Sequence, residues 1–206
     1  MGLKQEIGTY IQQGNFEQIL ACAEEKQAQT CKYVQMYLFG DDREITRWNA
    51  IIALGKLAQR YAEENDEVYR NILRRQLWAM NDESGNVPWS APEVMAAIIK
   101  ARPNQYQEDF FAPMLTNGLE NPMCHKGVLW AMGYLGEAFL PQLERFLPQI
   151  LFALDARDAD LRGYAVWALK QLDYQTKATE RLINDTSTFL LYENECLTEK
   201  KICELF

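Results

Sequence analysis

Apolar residues recur at helical spacing along most of the chain, and one such pattern is written three times. The segments RWNAIIALGKL from Arg47, HKGVLWAMGYL from His125 and RGYAVWALKQL from Arg162 align without gaps. All three carry Ala or Val three positions after the start, Ala at six, and Leu or Met at seven. Residues at this spacing share one face of a helix. The pattern therefore predicts the same amphipathic helix three times.

The repeated segments also share small residues. Gly55 and Gly133 stand at the same position of their copies, and Lys170 replaces the glycine in the third copy. A residue without a side chain allows a neighbouring backbone to come close. We therefore predict that these helices pack closely against a neighbour.

A fourth, weaker copy starts at Pro92 and places Met95, Ile98 and Ile99 at the core positions. The four starts, at 47, 92, 125 and 162, are 45, 33 and 37 residues apart. Such intervals are typical of two-helix repeats. Three apolar segments lie between the starts and are predicted to be the first helices of the pairs: 66–81, 104–119 and 140–154.

The segment DADLRGYAVWALKQL, which ends at Leu172, resembles the HEAT repeat, especially the variant in phycobilisome-lyase-type HEAT-like proteins. In that variant an acidic turn precedes an Arg, small residues and a Leu–Gly step. The resemblance covers about 28–173 and implies an all-α class, with about four helix pairs forming an armadillo-like α-α superhelix, or solenoid. Its second helices would line a concave face. His125 in place of the Arg and Lys170 in place of the glycine depart from the pattern.

The two ends of the chain complete a single predicted domain, 1–206. Residues 1–27 are predicted to form capping helices, with Asn15 as a helix N-cap. Residues 174–206 form a C-terminal cap. Its apolar run from Thr188 to Tyr192 and the following mixed run favour a β-hairpin against the last repeat, with a short helix as the alternative.

The segment RRQLWAMNDESGNVPWSAPE, residues 74–93, interrupts the helical pattern. Its LWAM is predicted to end a first helix, whereas the LWAM at 129–132 lies within a second helix. Ser90 and Glu93 have the spacing of a capping box, in which each side chain bonds to the other residue's backbone N–H. A helix end, a loop and a helix start therefore account for much of the segment.

Capping does not account for the charges and aromatic residues of this segment. Acidic and aromatic residues of the loop (Asp82, Glu83 and Trp89) follow Arg74, Arg75 and Trp78 of the preceding helix. They indicate either a structural ion-pair lock or a recognition site. The segment is similar to an RR-LW--NDESG---W-APE block in a set of uncharacterised prokaryotic HEAT-repeat proteins. That resemblance implies a site and brings no activity.

We predict a non-catalytic scaffold that binds a protein or peptide partner in the concave groove. Arg and Trp are the residue types most often found at interaction hot spots. The candidate partner-binding residues are Arg47, Arg74, Arg75, Trp78, Asn81, Asp82, Glu83, Trp89, Glu93, His125 and Arg162.

Two alternatives rest on resemblance to HEAT-like proteins of other function. In an alkylpurine DNA glycosylase, Asp82 with Trp78 and Trp89 would hold a cationic base. A bilin-lyase-like maturation factor would need a tetrapyrrole pocket. The other tryptophans that fall within repeats, Trp48, Trp130 and Trp167, are expected in the core.

Composition narrows these functions. A net charge of −8 counts against binding of nucleic-acid phosphates. The chain shows neither a signal peptide nor an apolar run of membrane-spanning length, so we expect a cytoplasmic protein. Its 5 cysteines include no CxxC pair and it has 1 histidine, which predicts reduced thiols and no metal site. The sequence contains neither a nucleophile motif nor a phosphate-binding glycine loop, so we expect no cofactor and no enzymatic activity.

Overall fold

The computed structural model describes residues 2–81 and 90–206, which form a mostly helical protein with a small antiparallel sheet near the C-terminus. The chain divides into two compact units, Met1–Cys124 and His125–Phe206. The first unit contains α1 (Leu3–Gln13), α2 (Phe16–Gln35), α3 (Ile45–Tyr61), α4 (Asp66–Met80), α5 (Ala91–Ala101) and α6 (Pro103–Glu120).

The two N-terminal helices are joined by a tight turn. Gly14 ends α1 in the left-handed conformation, with φ of 64°. Asn15 then caps α2 by accepting a hydrogen bond from the Gln18 backbone N–H at 3.3 Å, which confirms the predicted N-cap. The second helix kinks at Lys26 and continues to Gln35, beyond the predicted capping segment.

Close packing of α3 and α5 forms the centre of the first unit. α3 packs against α1, α2 and α5, while α5 also packs against α4 and α6. A Cβ added at Gly55 would lie 2.9 Å from the Ala97 carbonyl oxygen, so the predicted close approach occurs here. Every residue from Ala91 to Ile99 is buried.

Arg70 fastens α4 to α6. Its Nε lies 2.7 Å from Asp66 Oδ2 on its own helix, and its Nη1 lies 2.6 Å from Asp109 Oδ2 on α6. Its Nη2 donates to the Gln105 carbonyl oxygen at 3.1 Å. A planar guanidinium with several donors suits such a joint because it can bond to both helices at once.

The second unit contains α7 (His125–Leu135), α8 (Leu140–Leu143), α9 (Leu147–Ala153) and α10 (Ala159–Gln171), followed by β1 (Thr188–Glu193) and β2 (Cys196–Lys201). The helix predicted over 140–154 is present in two pieces, because a 3₁₀ turn, Glu144–Phe146, separates α8 from α9. Pro148, in the first turn of α9, has no N–H to donate to the preceding turn.

Aromatic stacking holds α7 against α10. The Trp130 ring stacks on Tyr134 and on Trp167, with centroids 4.5 and 6.3 Å apart. A Cβ at Gly133 would lie 2.5 Å from Trp167 Cζ3, so this glycine permits the same close approach as in the first unit. Trp48, Trp130 and Trp167 are all buried, as predicted.

The predicted C-terminal hairpin is confirmed. Asn194 and Glu195 have φ of 52° and 61°, and Glu193 pairs with Cys196 across them, as in a two-residue type I′ turn. The hairpin packs against α10. Trp130 Nε1 donates to the Tyr192 carbonyl oxygen at 3.0 Å, which fixes β1 in place.

Among the described helices, the structure contains none with the length and apolar character needed to cross a membrane.

The contact at Gly55 predicts whether substitution by alanine raises or lowers the stability of the protein. Gly55→Ala should destabilise the protein by about 1–3 kcal/mol, because the added methyl group meets the rigid Ala97 backbone. Helix propensity alone would stabilise the variant by about 1 kcal/mol. Urea denaturation measures the difference in free energy of unfolding.

A matched control is available at Gly8, where the added Cβ would meet the hydroxyl oxygen at the tip of the Tyr37 side chain. In a Tyr37→Phe background, Gly8→Ala should be tolerated because that hydroxyl is gone. A Gly55→Ala variant more stable than the wild type would show that α3 and α5 are not in close contact.

Candidate functional site

Helix α4 has one buried face and one exposed face. Tyr69, Ile72, Leu73, Gln76, Ala79 and Met80 form its buried stripe at helical spacing. The opposite side exposes three residues of the candidate set, Arg74, Arg75 and Trp78, which we call the α4 face. Residues three and four apart are neighbours on a helix, so Arg74 and Arg75 lie on the same side of α4 as Trp78.

Trp78 is the most unusual member of the α4 face because 70% of its surface is exposed. Within residues 2–81 and 90–206, neither Trp78 nor Arg75 makes a hydrogen bond, an ion pair or an aromatic ring contact. An exposed tryptophan beside an unpaired arginine has the composition of an interaction hot spot.

Arg74 is only loosely engaged. Its Nη1 lies 2.6 Å from Glu67 Oε1, and both side chains are more than half exposed. Exposed pairs of this kind contribute roughly 0–1 kcal/mol to stability. The Arg74 charge is therefore accessible to an incoming group.

Two asparagines fix the C-terminal end of α4. The Asn81 side-chain amide donates to the Leu77 carbonyl oxygen at 3.0 Å. The Asn121 amide, just after α6, donates to the Met80 carbonyl oxygen at 3.0 Å. Helix ends leave carbonyl oxygens without partners, so these bonds hold the last turn that carries Trp78. Asn81 is thus a helix-end residue in this structure.

The predicted capping box at Ser90 and Glu93 is wrong. Ser90 makes no capping bond, and its hydroxyl donates instead to the Leu38 carbonyl oxygen at 3.1 Å. Glu93 Oε1 lies 3.0 Å from Arg47 Nη2. Both residues of the predicted box are buried, where partners from distant segments replace the local backbone N–H groups.

The Arg47–Glu93 pair is an internal ion pair between the first turns of α3 and α5. Each side chain is 5% exposed. In the described part of the chain, Arg47 Nε and Glu93 Oε2 have no hydrogen-bond partner. These two members of the candidate set form a structural lock and offer no surface to a partner.

Burial dominates the electrostatics of this lock. It raises the pKa of the Glu93 carboxyl to about 7, against the opposing effect of the Arg47 guanidinium. Burial also raises the pKa of the Cys124 thiol to about 12, and the Glu93 charge adds to that rise.

Arg162 is also engaged within its own unit. Its Nε pairs with Asp185 Oδ2 at 2.9 Å, and its Nη1 donates to the Ala156 carbonyl oxygen at 2.8 Å. Its Nη2 donates to Ser187 Oγ at 3.1 Å. Arg162 therefore joins α10 to the turn before it and to the segment leading into β1. His125 begins α7 and is partly buried.

The remaining candidates, Asp82, Glu83 and Trp89, lie outside the described residues. The described residues of the segment 74–93 therefore fall into two groups, one that fits the structural lock and one that fits the recognition site. Ser90 and Glu93 belong to the interior, while the α4 face is exposed.

A cavity of about 460 Å³ lies at the kink of α2 and is bordered by Glu24, Glu25 and Glu64. Gln27, which also lines it, donates to Tyr69 Oη at 2.8 Å and accepts from Asn65 Nδ2 at 2.5 Å. These amides are therefore engaged with groups of the protein.

All five cysteines lie in the described ranges, and each is a free thiol. Among the described residues, no three His, Cys, Asp or Glu side chains are grouped so as to hold a metal ion. Comparison with protein-family models, curated proteins and solved structures found no match to the chain.

Breaking the internal ion pair on one side should cost more than removing both charges. Arg47→Met should destabilise the protein by about 3–5 kcal/mol above the Glu93 pKa, because it leaves a buried carboxylate without its partner. The Arg47→Met/Glu93→Leu variant should recover most of that loss. Urea denaturation of both single variants and the double variant measures the coupling, and additive losses would contradict a direct pair.

The raised pKa of Glu93 predicts a pH dependence. Between pH 4.5, the ordinary pKa of a glutamate, and about pH 7, the folded protein binds a proton at Glu93 that the unfolded chain has released. The stabilising effect of this proton is complete below that window and disappears as the pH rises through it. Relative to Glu93→Gln, the wild type should lose about 3 kcal/mol of unfolding free energy across the window.

Comparison with Glu93→Gln is needed because the lowered pKa values of carboxyl groups such as Asp66 and Asp185 make stability rise with pH. This is opposite to the effect of Glu93. Parallel stability curves for wild type and Glu93→Gln would contradict the assignment to Glu93.

Proposed function

We propose that the protein is a non-catalytic interaction scaffold, built from HEAT-like helix pairs, that binds a protein or peptide partner on the α4 face. The observation that carries the proposal is the exposed Trp78 beside Arg75, which forms no ion pair or hydrogen bond within residues 2–81 and 90–206. A large exposed aromatic side chain gains much from burial against a partner.

The arrangement of helices supports the repeat assignment. The four pattern starts fall in the first turns of α3, α5, α7 and α10. α3 packs against α5 in the first unit, and α7 packs against α10 in the second. Gly55 and Gly133, equivalent in the pattern, both lie in these contacts. We accordingly treat α2/α3 and α4/α5 as successive HEAT-like pairs within the first unit, and α9/α10 as a pair within the second.

We propose that the binding surface lies on a first helix and not in the predicted groove between second helices. Arg47 on α3 and Glu93 on α5 are buried against each other. Arg162 on α10 is bonded to its own unit. Of the arginines first considered for partner binding, Arg74 and Arg75 have accessible charges.

A non-catalytic role agrees with the location of four titratable groups whose pKa values are raised by burial. Glu93, Cys31, Cys124 and Tyr69 have raised pKa values because they are buried. Each lies in the core, where it cannot contact a substrate. Their shifts therefore accompany packing.

The proposal predicts which side chains a partner needs. Trp78→Ala should weaken binding about thirtyfold or more, as expected for the loss of a hot-spot residue worth about 2 kcal/mol. The partner would be recovered by affinity purification from the native host with the tagged wild-type protein, and its dissociation constant measured with each purified variant.

Phe152→Ala is the matched control, because Phe152 is an aromatic residue with 82% of its surface exposed on α9 in the other unit. Neither surface substitution should change stability by more than about 0.5 kcal/mol. Equal affinity of wild type, Trp78→Ala and Arg75→Ala for the recovered partner would refute the α4 face as its site.

A further inference from the structure

We infer that the partner presents an acidic segment with an apolar anchor, in which carboxylates pair with Arg74 and Arg75 and the anchor covers Trp78. This inference rests on the proposed function and adds the chemistry of the partner. It follows from the two positive charges of the α4 face, the accessibility of Arg74 and Arg75, and the place of Trp78 on the same side of the helix.

The local charge of the α4 face is opposite to that of the whole chain. The protein has a net charge of −8. Residues 71–80, NILRRQLWAM, nevertheless contain two arginines and no acidic residue. A positive patch attracts an acidic partner and repels a basic one, so the charge of the α4 face favours an acidic partner there.

The guanidinium groups can accept this partner at low cost. Arg75 makes no hydrogen bond or ion pair within the described residues. Arg74 would exchange its exposed Glu67 partner for a carboxylate of the incoming segment. Arginine binds carboxylates through paired, charge-assisted hydrogen bonds, which are stronger than those between neutral groups.

Trp78 supplies the apolar part of the surface. Its ring lies three residues from Arg75 and four from Arg74, so all three side chains share one side of α4. Covering the indole removes water from around the neighbouring guanidinium groups, which strengthens their attraction for carboxylates. A peptide with acidic residues on both sides of an aromatic or aliphatic residue fits this arrangement.

A protein segment fits this surface better than a nucleic acid does. Affinity for nucleic acid grows with the number of phosphates that basic residues neutralise. The α4 face offers two arginines, on a chain of net charge −8. A short single-stranded DNA oligonucleotide is therefore the competing occupant to test.

A random peptide library displayed on phage, selected on the immobilised full-length protein, tests the inference. Clones are sorted by binding to wild type, Trp78→Ala, Arg75→Glu and the Phe152→Ala control. We expect clones that need Trp78 and tolerate Phe152→Ala to be enriched in Asp and Glu around an apolar residue. Arg75→Glu should weaken them about tenfold or more, because it places like charges together.

Charge exchange provides the decisive measurement. Replacing the acidic residues of a selected peptide by Lys should abolish binding to the wild type and restore binding to Arg75→Glu. Affinity of the original peptide should fall as salt is raised, since the charges are exposed.

The outcomes separate the two proposals. Clones that need Trp78 but have no acidic excess and ignore Arg75→Glu would overturn the partner chemistry and leave the docking face standing. If no clone distinguishes Trp78→Ala from Phe152→Ala, the proposed function fails at this face.

Two further results would also overturn the acidic-partner inference. One is oligonucleotide binding that depends on Arg75 and Trp78. The other is selection of peptides that match this chain's own acidic segment DARDAD at 155–160, which would make the occupant a second copy.

Discussion

Close approach of neighbouring helices at a glycine is the constraint on which both units depend. Gly55 lies against Ala97 between α3 and α5, and Gly133 lies against Trp167 and Ala168 between α7 and α10. The two glycines occupy the same position of the repeated pattern. The third copy has Lys170 there, and its side chain is exposed and donates to the Leu205 carbonyl oxygen at 3.0 Å. Where the C-terminal segment takes the place of another helix, the position no longer requires a glycine.

Local patterns predicted the elements well because each depends on residues close together in the chain. The first LWAM ends α4 and the second lies inside α7, as expected from their places in the repeat. The hairpin followed from an apolar run, a short polar turn and a second, mixed run. The 3₁₀ turn that interrupts the helix predicted over 140–154 was not foreseen. The spacing of apolar residues carries no information about the N–H that proline lacks.

Predictions about individual polar residues were less reliable, since their partners lie far away in sequence. Glu93 pairs with Arg47 across 46 residues, and Ser90 bonds to Leu38 across 52. Nothing in the spacing of Ser90 and Glu93 distinguishes an exposed capping box from two buried side chains with distant partners. The partner of Arg162, Asp185, is likewise distant in sequence and could not be predicted from local spacing. The exposure of Trp78, by contrast, follows from the stripe of apolar residues on the opposite side of α4.

The lock and the exposed face have complementary roles in the proposed scaffold. The buried Arg47–Glu93 pair fixes the start of α5 against α3. Arg70 fastens α4 to α6, and Asn121 holds the end of α4. Trp78 and Arg75 are therefore presented on a helix that is already held at several points. Less conformational freedom remains to be lost when a partner binds, so even a small surface of three side chains can contribute to affinity.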